Sequence, residues 1–124
     1  MAGLTLDTGG LIALERRRLQ MRRRLQVALL DGKRITVPIV VISEWWRGRT
    51  ALREQILASV RVEPLTESLV KLAGEALAQV GGSNAIDAIV VASAAQRGDV
   101  IYTSDVPDLT RLGAYFPAVR VLQA

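Results

Sequence analysis

Short apolar, β-branched segments alternate with helix-like stretches along this chain, and that alternation limits the fold more than any other feature. Leu4-Thr5-Leu6, Arg34-Ile35-Thr36-Val37, Val100-Ile101-Tyr102-Thr103 and Val119-Arg120-Val121-Leu122 read as strands, with Arg61-Val62-Glu63 as a further short one. Between them the spacing predicts a long helix over about residues 11–30, closed by Asp31-Gly32, and helices over about 39–47 and 50–59, Pro38 opening the first of these at its initial position. Thr66 and Ser68 start an amphipathic segment that places Leu69, Leu72, Ala73, Ala76 and Val80 on one side and stops at Gly81-Gly82. Asn84 caps a helix running to Arg97, Gly98 ends it, and a short helix covers Asp105 to Leu112. Short strands alternating with helices make a parallel sheet covered on both faces. The fold class is therefore α/β, in one domain spanning residues 1–124.

Ligands of such sheets bind beyond the carboxyl ends of the strands. Asp7 and Asp105 follow two of the strands, and Glu44 and Asp87 sit in helices nearby. All four lie in or just after apolar stretches, where a carboxylate costs stability unless it is paired or metal-bound. The chain has no histidine and no cysteine, which removes most nucleophile and acid–base pairs and leaves carboxylate and metal chemistry. Each acid also has a plainer reading. Asp7 and Asp105 can cap helices, Asp87 falls three residues after Asn84 in a favourable first turn, and Glu44 can occupy an exposed edge of its helix. As a set, they suit Mg²⁺ or Mn²⁺, which take oxygen ligands and relieve the repulsion between neighbouring acids.

Charge is divided unevenly. Residues 1–62 carry 12 Arg or Lys against 5 Asp or Glu, whereas residues 63–124 carry 4 against 7. A basic flank beside an acidic cluster suits a polyanionic substrate; the competing reading is solubility alone. No apolar run approaches the roughly 18–20 residues that span a bilayer, the start lacks a basic and apolar leader, and zero cysteine gives the cytoplasm as the expected compartment.

Taken in order, Leu4-Thr5-Leu6-Asp7-Thr8, Val41-Ile42-Ser43-Glu44-Trp45-Trp46-Arg47-Gly48, Ile86-Asp87-Ala88-Ile89-Val90-Val91-Ala92 and Val100-Ile101-Tyr102-Thr103-Ser104-Asp105-Val106-Pro107-Asp108-Leu109 resemble the PIN domain. More narrowly, the pattern looks like the VapC-type ribonuclease toxins of toxin–antitoxin pairs. The resemblance implies a three-layer sandwich around a parallel five-stranded sheet of order 3-2-1-4-5. It implies catalytic acids at Asp7, Glu44, Asp87 and Asp105, with Asp7, Asp87 and Asp105 as ligands of Mg²⁺ or Mn²⁺. Thr8, Thr103, Ser104 and Asp108 stand as supporting residues. The activity implied is hydrolysis of RNA phosphodiesters by activated water, leaving a 5′-phosphate and a 3′-hydroxyl; tRNA, rRNA and mRNA all stay open as substrates. A VapB-like antitoxin and a second copy of the chain are the implied partners. Gly9-Gly10 departs from the family pattern, where bulkier residues often follow the first acid and its neighbour.

Leu14, Met21, Leu25 and Ala28 form one stripe of the long helix, assigned to the core. Ile12, Leu19 and Leu30 lie nearly opposite and are expected to meet an antitoxin or a second subunit; scattered surface aliphatics are the alternative. Arg17, Arg18, Arg47 and Arg49, with Trp45, are the expected RNA contacts, and at most one of Trp45 and Trp46 can face substrate. The main rival function is a non-catalytic RNA-binding module on the same fold. A receiver-type phosphoacceptor lacks its late lysine here, and a haloacid-dehalogenase-type phosphatase would need an acid where Gly9 stands.

Overall fold

The computed structural model describes residues 2–124. Five strands, β1 (Leu4–Leu6), β2 (Ile35–Pro38), β3 (Arg61–Glu63), β4 (Val100–Thr103) and β5 (Arg120–Gln123), form one parallel sheet in the order β3-β2-β1-β4-β5. The helices among the described residues are α1 (Thr8–Glu15), α2 (Leu19–Leu30), α3 (Ile39–Trp45), α4 (Ala51–Ser59), α5 (Glu67–Val80), α6 (Ala85–Arg97) and α7 (Val106–Gly113). This is the α/β sheet and strand order expected. None of these helices is long and apolar enough to cross a membrane.

Burial follows strand position. All residues of β1 and β2 are buried, while the edge strands β3 and β5 are partly exposed. Helix α6 is buried at every residue from Ala88 to Ala94, because it touches β1, β2 and β4 on one side and α5 and α7 on the other. A helix apolar on all sides belongs in such a place. Leu6, Val37, Val90, Val91, Ile101 and Leu109 anchor the interior.

The long helix expected over residues 11–30 is two helices. Glu15 ends α1, Arg17 takes the left-handed conformation at φ 54°, and α2 starts at Leu19. The break is a Schellman ending: Arg18 N–H donates to Ala13 O and Arg17 N–H to Leu14 O, both at 3.0 Å. Asp31-Gly32 closes α2 in the same way, with Gly32 at φ 70°. Left-handed backbone at an arginine costs about 1–2 kcal/mol, offset because the kink lets α1 bury Leu11, Ala13 and Leu14 while α2 buries Met21 and Ala28. The core stripe stands, with Leu25 partly buried. The opposite stripe does not: Ile12 lies on α1 and packs half-buried against the core, whereas Leu19 and Leu30 on α2 are 60% and 87% exposed. Pro38 also differs, closing β2 and standing one residue ahead of α3 rather than inside it.

The amino-terminal end of the sheet carries a buried polar network that the sequence did not announce. Asp99 accepts from Gly3 N–H and Thr5 Oγ1, both at 2.9 Å, and from Arg97 Nε at 2.9 Å. Arg97 also pairs with Glu63 and donates to Thr5 and Ser93. One guanidinium thus joins α6, β1, β3 and the residue before β4.

Candidate functional site

At the carboxyl end of the same sheet the acids gather. Asp7 follows β1 and caps α1, its Oδ1 accepting from Gly10 N–H at 2.9 Å. Its Oδ2 accepts from Thr103 Oγ1, the last residue of β4, at 2.5 Å. Thr103 Oγ1 in turn accepts from the Asp105 backbone N–H at 2.9 Å. A single hydroxyl therefore links the carboxylate after β1 to the turn after β4. Parallel pairing of β1 with β4 creates this proximity, because Leu6 sits beside Tyr102 and the next residues emerge side by side.

Glu44 reaches the site from the last turn of α3, where Thr8 Oγ1 donates to its Oε1 at 2.7 Å. Asp87 lies in the first turn of α6, whose cap, Asn84, accepts from the Asp87 N–H at 2.8 Å. Burial first, and then the charges of Asp7, Glu44, Asp105 and Asp108, together push the Asp87 carboxyl up to about 6. Asp7 is raised too, mainly by burial with Glu44 adding, although its hydrogen bonds to Thr103, Gly10 and Gly9 oppose this. The four acids thus share one electrostatic neighbourhood. Among the described residues, none of the four has a Lys or Arg within ion-pair distance; Asp108, the fifth acid, is paired with Arg111.

The acids do not form a closed cage: no three of the described acidic side chains converge tightly enough to hold an ion unaided. Mg²⁺ does not require this, since it keeps several waters and takes one or two carboxylates together with substrate phosphate oxygens. An all-oxygen donor set, buried enough to raise two of its carboxyls and left without a protein counter-charge, fits that ion.

The other expected site residues divide. Ser104 is exposed in the turn between Thr103 and Asp105. Arg47 follows Glu44 closely and lies against the end of α3, donating to Ser43 O and Trp46 O. Arg49 is exposed and pairs loosely with Glu54. Arg17 and Arg18 stand beyond the far end of α1, roughly 12 Å or more along the helix from Asp7, so the kink separates them from the acids. Trp45 is 3% exposed and has no open face for a base; Trp46, edge-on to it at 6.0 Å, is the less buried ring. The Thr8–Glu44 contact escaped sequence reading, because only the fold brings that pair together; the Thr103–Asp105 contact is local, between residues two apart.

The PIN domain family matches residues 4–112 of the chain. No curated protein matches it. Among solved structures, the backbone is similar to that of a toxin–antitoxin complex from Klebsiella pneumoniae, with TM-score 0.67 and 16% identity over 94% of this chain and 95% of that one. It is also similar to FitAB bound to an IR36 DNA fragment, with TM-score 0.64 and 20% identity over 97% and 94% of the two chains. FitAcB from Neisseria gonorrhoeae gives TM-score 0.62 and 18% identity over 97% and 96%. At these identities the solved structures speak for the fold, and the family match across 109 residues decides membership: the chain belongs to the PIN domain family.

Proposed function

We propose that this protein is a Mg²⁺- or Mn²⁺-dependent endoribonuclease serving as the toxin of a toxin–antitoxin pair. PIN domains are generally nucleases, and the observation that carries the reading here is the set Asp7, Glu44, Asp87 and Asp105, gathered without a protein cation. Asp7, Asp87 and Asp105 would hold the ion. When bound, it supplies Lewis acidity, lowering the pKa of water and offsetting charge on the scissile phosphate. The chain's own groups do the positioning. Thr103 and Gly10 fix both oxygens of Asp7, so that carboxylate cannot rotate freely. Thr8 holds one oxygen of Glu44, leaving the other to accept a proton from the attacking water. Arg47, the arginine nearest Glu44 in the chain, would meet an RNA phosphate.

The toxin role rests on the similarity to toxin–antitoxin structures together with Leu19, Val27, Leu29 and Leu30, apolar side chains that α2 leaves exposed. Grooves run along both sides of α2, one of about 340 Å³ floored by Leu14, Leu25, Leu52 and Ile56. An antitoxin segment laid along α2 would cover these side chains.

The test is cleavage of mixed tRNA and rRNA with Mg²⁺, with Mn²⁺ and with EDTA, comparing the native chain with Asp7→Asn. Discrete cuts that need metal and vanish in the variant support the reading. Folded, antitoxin-free protein that binds RNA without cutting it in either metal would replace it with the non-catalytic RNA-binding module.

A further inference from the structure

We infer that Gly9 is a positioning residue: its missing side chain sets how closely the turn after β4 approaches α1, and so where Asp105 stands relative to Asp7. The inference rests on the nuclease reading for its catalytic consequence but not for its geometry. A Cβ built on Gly9 would lie 2.3 Å from Ser104 Oγ, 2.6 Å from Ser104 N and 2.8 Å from Ser104 Cβ. Two of those three atoms cannot be moved by turning a flexible side chain. Gly9 is helical, without the positive φ that demands glycine at Gly32 or Gly98. Its own backbone would accept alanine, which is the better helix former. The close approach alone excludes it.

What would yield under a methyl group follows from the bonds on either side of Ser104. Thr103 is fixed from several directions: it pairs with Gln123 in the sheet, its carbonyl accepts from Ala124 N–H at 2.8 Å, and its hydroxyl holds Asp7. On the other side, Asp105 is exposed and its side chain makes no capping bond to α7. A displaced Ser104 therefore carries Asp105 with it and leaves Thr103 in place. The weak link is the Asp105 N–H to Thr103 Oγ1 bond. Gly10, whose Cβ would meet Tyr102 O at 2.9 Å, extends the same close contact along β4. The Gly9-Gly10 pair thus acts as a flat seat for the turn that carries the last acid.

The experiment is a double-mutant cycle with Gly9→Ala, Ser104→Gly and the pair, read three ways: RNA cleavage, Mn²⁺ affinity by calorimetry, and backbone amide shifts of residues 103–106. Gly74→Ala is the control, since a Cβ there meets nothing within 4 Å. The expected result is that Gly9→Ala lowers kcat by about 10- to 100-fold, the range for a misplaced reacting group, with KM for RNA little changed. Mn²⁺ binding weakens, and the shifts of Ser104 and Asp105 move more than that of Thr103. On the Ser104→Gly background, with the Oγ and Cβ contacts gone and a freer backbone to relieve the remaining 2.6 Å approach to the residue 104 N, the same substitution does less. Equal losses on both backgrounds, or Gly9→Ala behaving like Gly74→Ala, would overturn the inference. If the native chain neither cuts RNA nor binds Mn²⁺, the nuclease reading falls, and the amide shifts alone decide whether Gly9 positions Asp105.

Discussion

Replacing Asp87 with Asn should stabilise the metal-free protein at neutral pH, and by an amount that depends on pH in a defined direction. The carboxyl is raised from 3.8 to about 6 by burial and by the charges of Asp7, Glu44, Asp105 and Asp108. A group whose folded pKa exceeds its unfolded value favours folding fully below the unfolded pKa. That contribution is lost as pH rises through the folded one. The native chain therefore loses stability from this residue between about pH 4 and pH 6. The shift alone corresponds to an upper bound of about 3 kcal/mol. Asp87 is only half-buried, and solvent screening reduces this to about 1–2 kcal/mol. For a domain of this size that is roughly 4–8 °C in Tm.

The assay is thermal denaturation in EDTA across pH 4–8. Asn resembles the protonated acid, so the two proteins should melt together near pH 4 and separate above pH 6, with the variant higher. Adding Mg²⁺ should then raise the native Tm and close the gap, because an ion that binds only the folded state stabilises it by linkage. A variant that melts lower at pH 7.5, or a difference that does not change with pH, would refute the reasoning. Either result would mean that burial and the neighbouring charges do not raise Asp87 as argued.

Thr103→Val removes both the donor to Asp7 Oδ2 and the acceptor for the Asp105 N–H. It should destabilise by about 1–3 kcal/mol and abolish cleavage, while Thr103→Ser keeps both; denaturant titration and RNA cleavage check this. Leu19→Glu, at a side chain already 60% exposed, should leave Tm unchanged yet weaken co-purification with an antitoxin, and an undiminished complex would count against α2 as the contact. Arg97→Met strips the counter-charge from Asp99 and Glu63 and should cost about 3–5 kcal/mol, read by chemical denaturation.

The strands and most helix boundaries were legible because they are written locally, whereas the strand order came from the family resemblance. β-branched runs, Asn84 before α6, and Gly32, Gly81 and Gly98 after their helices each state an element's type or end. The break at Arg17 was not legible, because the hydrogen bonds that end α1 are those that end α2, with an arginine where glycine usually stands. Periodicity could not detect it and so grouped Ile12 with Leu19 and Leu30. The acids could be picked out because carboxylates are conspicuous among Val, Ile and Ala. Thr103 was expected to support a ligand carboxylate, but which partner each threonine holds could not be read, since the Thr103 bond to Asp7 spans 96 residues and the Thr8 bond to Glu44 spans 36. Nor did sequence choose between the tryptophans, because adjacent positions on a helix diverge by about 100° and only packing shows that Trp45 turns inward.

Two groups of acids in this fold are handled differently, and the difference bears on the functional argument. Asp99, just before β4, and Glu63, the last residue of β3, share the Arg97 guanidinium and are tied to Gly3, Thr5 and Ser93. That is how a fold accommodates carboxylates kept for structure. At the carboxyl end of the sheet, Asp7 receives an amide and a hydroxyl donor and Glu44 a hydroxyl, which orient them, and among the described residues none of Asp7, Glu44, Asp87 and Asp105 has a cation within ion-pair distance. Fourteen arginines are available in this chain, and one of them, Arg111, does reach the neighbourhood and pairs with Asp108. Supplying a second counter-charge is therefore within this sequence's means. Burial and the neighbouring charges raise Asp87, so leaving the other acids without a counter-charge is expected to cost stability at neutral pH. Acids left without a protein counter-charge here, beside a pair that shares one arginine elsewhere, are what the proposed cation site would need.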